Sequence, residues 1–302
     1  MSITHRRAGA AVAVLTAAAT ALCVSTAAAN AASATATSAS PVQATVPLGI
    51  PAALHFSIPA SFRRVTATTR PSVHVGSPVG SHPAIVGPRA AAARPGLKNT
   101  EYSNNWSGYV VDAGGYSSVE SGWTQPGANC SGTGGATTDA AFWVGIDGFG
   151  SGTVEQTGSD AVCENGSPSY GAWFEAYPNP SYGYEATVEP GDQFEAFVYA
   201  PGDSFEIFIE DVTQGWYGEQ NIVVGNAAKA SAEVIAEAPS SNGILPLTNF
   251  GTVAFSGAEA NGVGLSSLSP IQLDMESTSG VPEATTSALP STNAFSITWD
   301  SE

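Results

Sequence analysis

FEAFVYAPGDSFEIFIE, Phe194 to Glu210, is the stretch on which the fold class turns. Apolar and polar side chains alternate in Phe194–Tyr199 and again in Ser204–Glu210, with Pro201 and Gly202 between the two runs. A period of two is the mark of a strand with one face buried and the other solvated. The texture continues outward. Thr252–Phe255 and Phe295–Trp299 read as further strands, and Asn165-Gly166, Asn242-Gly243 and Asn261-Gly262 are turn signals. Only the Ala/Glu-rich stretch Ala227–Ala238 competes as a helix. Its neighbours are strands, so it is read as one. Residues 101–302 therefore read as an all-β domain, an antiparallel β-sandwich with a sizeable core.

Charge divides the chain at the same place. Residues 1–100 hold no Asp or Glu and carry Arg6, Arg7, Arg63, Arg64, Arg70, Arg89, Arg94 and Lys98. Residues 101–302 hold all 26 acidic residues against a single base, Lys229. The N-terminus reads as a secretory signal over residues 1–31: a positive start at His5-Arg6-Arg7, an apolar run from Ala8, and small-residue cleavage sites near Ala29 and Ala31. Residues 32–100, rich in Ala, Ser, Thr, Pro and Val, read as a basic, disordered propeptide, with a cut near Lys98–Glu101. The mature protein is expected to be secreted and extracellular. Cys23 falls in the signal, which leaves Cys130 and Cys163 to form one disulfide.

Residues 101–302 contain no histidine and no arginine. Without the prosegment there is no Ser-His or Cys-His catalysis and no histidine or cysteine metal site. Phosphate recognition lacks its arginine clamp, and so anionic a domain repels nucleic acid and anionic membranes. Carboxylates, amides, hydroxyls and aromatics remain. Protonation at low pH relieves the self-repulsion of the acids, and no histidine in the domain gains charge, so the composition suits acid. A carboxylate enzyme needs a base and a donor to developing negative charge. The stretch TVEQTG, Thr153–Gly158, supplies an amide, Gln156, that could be that donor.

The motifs match a family. Asn104-Asn105-Trp106-Ser107-Gly108-Tyr109-Val110 resembles the mature start of the glutamic peptidases, the eqolisins. Ala141–Gly148 is similar to their Trp-Val-Gly-Ile-Asp-Gly motif, and Gln156-Thr157-Gly158 to their Gln-Thr-Gly. Ala172–Pro178, Val188–Asp192 and Ala232–Glu237 resemble three further motifs in the same order. The resemblance implies a secreted bacterial-type endopeptidase that acts in acid without cofactor or metal, built as two curved antiparallel sheets of lectin-like, jelly-roll type. It maps the catalytic pair to Gln156 and Glu237. Glu237 would be general base to water and then acid to the leaving amine, while Gln156 would position the water and stabilise the oxyanion. Trp106, Trp143, Asp147, Glu175 and Tyr177 map to the family's cleft, and a cis bond is implied at Tyr177-Pro178. Expected partners are protein and peptide substrates and the chain's own propeptide; a monomer is expected.

The sequence departs from the pattern at Gly171, Ala176, Glu155 and Ala238-Pro239. Glu233, four residues before Glu237, falls on the same strand face. Two other readings stand beside the peptidase. A carbohydrate-binding sandwich would use the aromatics and need neither Gln156 nor Glu237. A glycoside hydrolase would use Asp147 and Glu175 as its two acids.

Overall fold

The computed structural model describes residues 58–69, 85–86, 100–240 and 243–302. The expected signal peptide and most of the expected propeptide lie outside these residues. Among the described residues nineteen strands follow in chain order. β1 (Arg63–Arg64), β2 (Ala67–Thr69) and β3 (Ile85–Val86) precede β4 (Thr100–Ser103) and β5 (Trp106–Val111). Next come β6 (Ser118–Thr124), β7 (Thr138–Asp147), β8 (Val154–Glu164), β9 (Ser167–Tyr177) and β10 (Tyr182–Tyr184). Then follow β11 (Gln193–Tyr199), β12 (Ser204–Asp211), β13 (Trp216–Val223) and β14 (Ala232–Glu237). β15 (Thr252–Ala260), β16 (Val263–Gly264), β17 (Ile271–Glu276), β18 (Pro282–Thr286) and β19 (Phe295–Trp299) complete the set.

Pairing runs as one ladder that folds over on itself. One layer is β13–β12–β11–β6–β15 and the other is β17–β5–β14–β7–β8–β9–β10, each antiparallel throughout. β19 and β18 carry the ladder from β15 round to β17. β11 lies across β7 and β8, β12 across β8, and β6 across β7 and β14. This is the expected sandwich.

The Phe194–Glu210 stretch forms the β11–β12 hairpin. Phe205, Ile207 and Ile209 point into the core, where Phe142, Val144, Ile146 and Val234 meet them from the opposite layer. Phe197 and Phe208 stack on the other face with ring centroids 4.9 Å apart. The ambiguous Ala227–Ala238 segment is a strand only from Ala232. β14 is buried on both faces, so it shows none of the alternation of a half-exposed strand.

Turn chemistry sets the register on which the site depends. Asn165 and Gly166 both have positive φ, 51° and 76°, the backbone of a tight two-residue hairpin. Glu164 therefore pairs with Ser167, and the ladder runs without a bulge to Gln156 opposite Glu175. Next to this pair, Gly158 lies hard against β7. A Cβ there would sit 2.2 Å from the Phe142 carbonyl oxygen and 2.6 Å from Trp143 Cβ. Gly158→Ala should therefore push β8 off β7 and lower Tm by more than about 10 °C, or prevent folding, as thermal melting would show.

The expected disulfide is present. Cys130 and Cys163 are joined at 2.01 Å, tying the short 3-10 turn Cys130–Gly132 to the end of β8. Within the segment read as disordered, Arg63–Arg64 and Ala67–Thr69 are strands paired with β13 and β10. The composition there is that of a linker, and its order comes from strand edges far away in sequence.

Candidate active site

The site lies on the face of the second layer that points away from the core. Three cross-strand rows build it. The first runs Trp106, Glu237, Ala141, Asp160, Gly171. The second runs Gly108, Ile235, Trp143, Gly158, Trp173. The third runs Val110, Glu233, Gly145, Gln156, Glu175. Gln156 and Glu237 thus share a face but stand two strands and two rows apart.

Trp143 spans the gap between them. Its Nε1 donates to Glu237 Oε2 at 3.0 Å. Its benzo edge lies over Gly145, where an added Cβ would be 2.8 Å from Trp143 Cζ3 and 3.1 Å from Gln156 Cβ. Glycine at 145 is what lets the indole lie flat beside Gln156. Trp106 meets Trp143 edge-on, centroids 5.0 Å apart. Trp173 joins the same cluster, and Phe149 packs against it from the loop after β7.

Glu237 is buried and also accepts from Asn105 Nδ2 at 3.4 Å. Burial raises its carboxyl to about 7, against the stabilising pull of the Trp106, Trp143 and Asn105 side chains. The Trp106 indole nitrogen faces this carboxyl without a hydrogen bond of normal geometry. Gln156 is held differently. Its Nε2 donates to Glu175 Oε2 at 2.7 Å, and its Oε1 is buried without a partner. Burial raises Glu175 well above the ordinary range, the Gln156 amide lowers it, and the like charge of Glu237 raises it further. Burial thus favours the protonated form of Glu175, and Glu237 lies within its electrostatic reach.

Sequence reasoning placed other residues in the cleft, and the structure distributes them. Trp106, Trp143 and Glu175 join Gln156 and Glu237 in the three rows. Tyr177 stands at the end of β9, half-buried, opposite Val154 and before a cis Tyr177-Pro178 bond. Asp147 is set in backbone anchoring instead. Its carboxylate accepts from the backbone N–H groups of Lys229 and Ala230 at 2.8 Å each and from Thr153 Oγ1 at 3.4 Å. Its φ of 70° turns the chain out of β7. Asp147 fixes the loop leading into β14. Asn105, absent from the expected site, touches Glu237; its only sequence signal was its place inside the first family motif. Glu155 points to the opposite face from Gln156, as alternation requires, and burial raises it to about 8, with Asp147 adding to the shift.

These raised carboxyls make a stability prediction. In the unfolded chain a glutamate ionises near 4.3. Glu237 at about 7, Glu155 at about 8, and Glu206 and Glu210 at about 7 hold their protons more tightly when folded. Each contributes stability that is full below about pH 4 and is lost as pH rises through 7 to 8. Tm is expected to fall by about 10 °C or more between pH 4 and pH 8; a flat profile would show these acids to be hydrated.

Comparison with known proteins agrees with this architecture. The sequence profile of the Peptidase A4 family matches residues 104–299. Aspergillopepsin-2 of Aspergillus niger is 30% identical over 192 residues, covering 56% of this chain and 68% of that protein. Scytalidopepsin B of Scytalidium lignicola is 29% identical over 146 residues, 46% of this chain and 54% of that protein. Among solved structures, scytalido-glutamic peptidase bound to a transition state analog inhibitor shares the fold, with a TM-score of 0.57 at 24% identity over 65% of this chain and 98% of its own. The chain belongs to the Peptidase A4 family.

Proposed function

We propose that this protein is a secreted glutamic endopeptidase in which Glu237 activates water and Gln156 stabilises the tetrahedral oxyanion. The observation that carries the reading is the Trp143 indole, bonded to Glu237 and lying beside Gln156 on one face. Glu237 takes a proton from water as its oxygen bonds to the peptide carbonyl carbon. Gln156 Nε2 has two hydrogens. Glu175 holds one, which orients the other towards the oxyanion. On collapse Glu237 returns the proton to the leaving nitrogen and the C–N bond breaks. Family membership supports the peptidase class over the sugar-binding and glycosidase readings. The disulfide and the N-terminal sequence support export through a signal peptide, and the basic segment supports a propeptide. A metal-independent monomer acting on protein chains belongs to the same proposal.

Acid action sets a condition on Glu237. Desolvation is the chief cause of its raised value, and three polar side chains oppose it. A nucleophilic water and a polar peptide entering the cleft remove part of that desolvation, which brings ionisation down towards acid. The experiment is digestion of an unfolded protein from pH 2 to 8. Cleavage with an acid limb well below 7 is expected. A limb centred at about 7 would make this a neutral peptidase, and no cleavage at any pH would end the proposal.

A further inference from the structure

On one side of the sandwich the two layers end in β13 and β10. The described residues before the domain close this side. Arg63–Arg64 add parallel to β13, opposite Trp216 and Tyr217. Arg63 N donates to Gly215 O at 3.0 Å and Val65 N to Tyr217 O at 2.8 Å. The chain then crosses to the other layer. Ala67, Thr68 and Thr69 pair antiparallel with Tyr184, Gly183 and Tyr182, and Glu185 N donates to Thr66 O at 2.9 Å. Val65, the crossing residue, is 4% exposed and belongs to the main core. Phe62 packs over Gly215. Arg64 Nη2 lies 3.2 Å from the Glu219 carbonyl and 3.7 Å from its carboxylate.

We propose that the edges of β13 and β10 form a strand-accepting slot whose occupant is this chain's own Phe62–Thr69, and that the slot retains this strand as a separate polypeptide after the chain is cut downstream. Three features select the occupant. Exposed edges recognise any extended backbone. Val65 fills the core between the layers at the crossing. Glu219 favours a base directly before it. The strand reaches from one layer to the other, so its loss would leave two unpaired edges and an opened core. The slot is at the side of the sandwich, whereas Glu237 and Gln156 lie on the outer face of one layer, so the proposal does not depend on the catalytic reading.

The test uses the full chain carrying Glu237→Gln, so that it does not cut itself, with a site-specific protease sequence inserted between Ala92 and Ala93. After cutting, native mass spectrometry and gel filtration in neutral buffer should show the N-terminal fragment bound one to one, released only by denaturant. Val65→Asp should reduce the bound fraction at least tenfold, and Arg64→Glu should weaken it severalfold without unfolding the domain. A fragment that leaves in buffer while the Tm of the domain is unchanged overturns the proposal. If Val65→Asp does not fold, hydrogen exchange on the cut parent protein decides. Protection at Val65 and Glu185 is expected, and rapid exchange at both overturns the slot.

Discussion

Glu237→Gln is expected to lower kcat for peptide cleavage by about 10⁴-fold, to the background of the assay, and to leave the fold intact. The change is isosteric. The new amide oxygen can still accept from Trp143 Nε1, which now bonds Oε2 at 3.0 Å. What disappears is the atom that takes a proton from water. Thermal melting separates this from structural damage, because the sign of the stability effect depends on pH. Folding raises the Glu237 carboxyl to about 7. Its contribution is therefore present at low pH and lost as pH rises through 7. The glutamine variant does not titrate. Its Tm should match the parent at pH 4 and exceed it at pH 8. A variant dead at every pH with that Tm pattern places the base at Glu237. Cleavage that survives moves the base to Glu233, Glu175 or Asp160, the other buried carboxyls of the three rows.

How far the sequence reveals this arrangement depends on which forces set each part. The β11–β12 hairpin was legible because only one of its faces joins the main core; the other, though buried too, carries Glu206 and Glu210 beside Phe208, so polar residues still mark it in the sequence. The pairing of Gln156 with Glu175 was implicit in Asn165-Gly166, since a two-residue turn without a later bulge leaves one register. Glu237 could not be separated from Glu233 by spacing alone, as both share a face; the distinction comes from Trp143 and Asn105, which reach Glu237 across neighbouring strands. Asp147 shows the reverse case. Its motif suggested a cleft residue, but the amides of Lys229 and Ala230 that anchor it lie 82 and 83 residues away. Arg63–Thr69 escaped detection for a related reason. Edge strands there gain their partners from β13 and β10, and nothing in the local sequence records those edges.

Gln156→Ala should lower kcat by about 10²- to 10³-fold with little change in KM, the loss associated with one oxyanion donor. Gln156 is suited to this work because its other contacts are already fixed. Glu175, buried and with its carboxyl raised well above the ordinary range, holds one amide hydrogen at 2.7 Å, and the Trp143 indole over Gly145 packs beside the amide. Gln156→Glu tests the donor more severely. It sets a second carboxyl at hydrogen-bond distance from Glu175 in a site that already penalises charge. The two acids would share a proton, and no N–H would remain to meet the oxyanion. Its kcat should fall at least as far as that of the alanine variant, with further loss as pH rises and the pair is forced to ionise. Glu175→Gln should cost less, about tenfold, because it only positions the amide. Measuring kcat and KM for all three across pH distinguishes the roles. If Gln156→Ala keeps its kcat and loses only KM, Gln156 binds substrate equally in ground and transition states, and the oxyanion must be met by another donor on this face, with the buried indole N–H of Trp173 as the candidate.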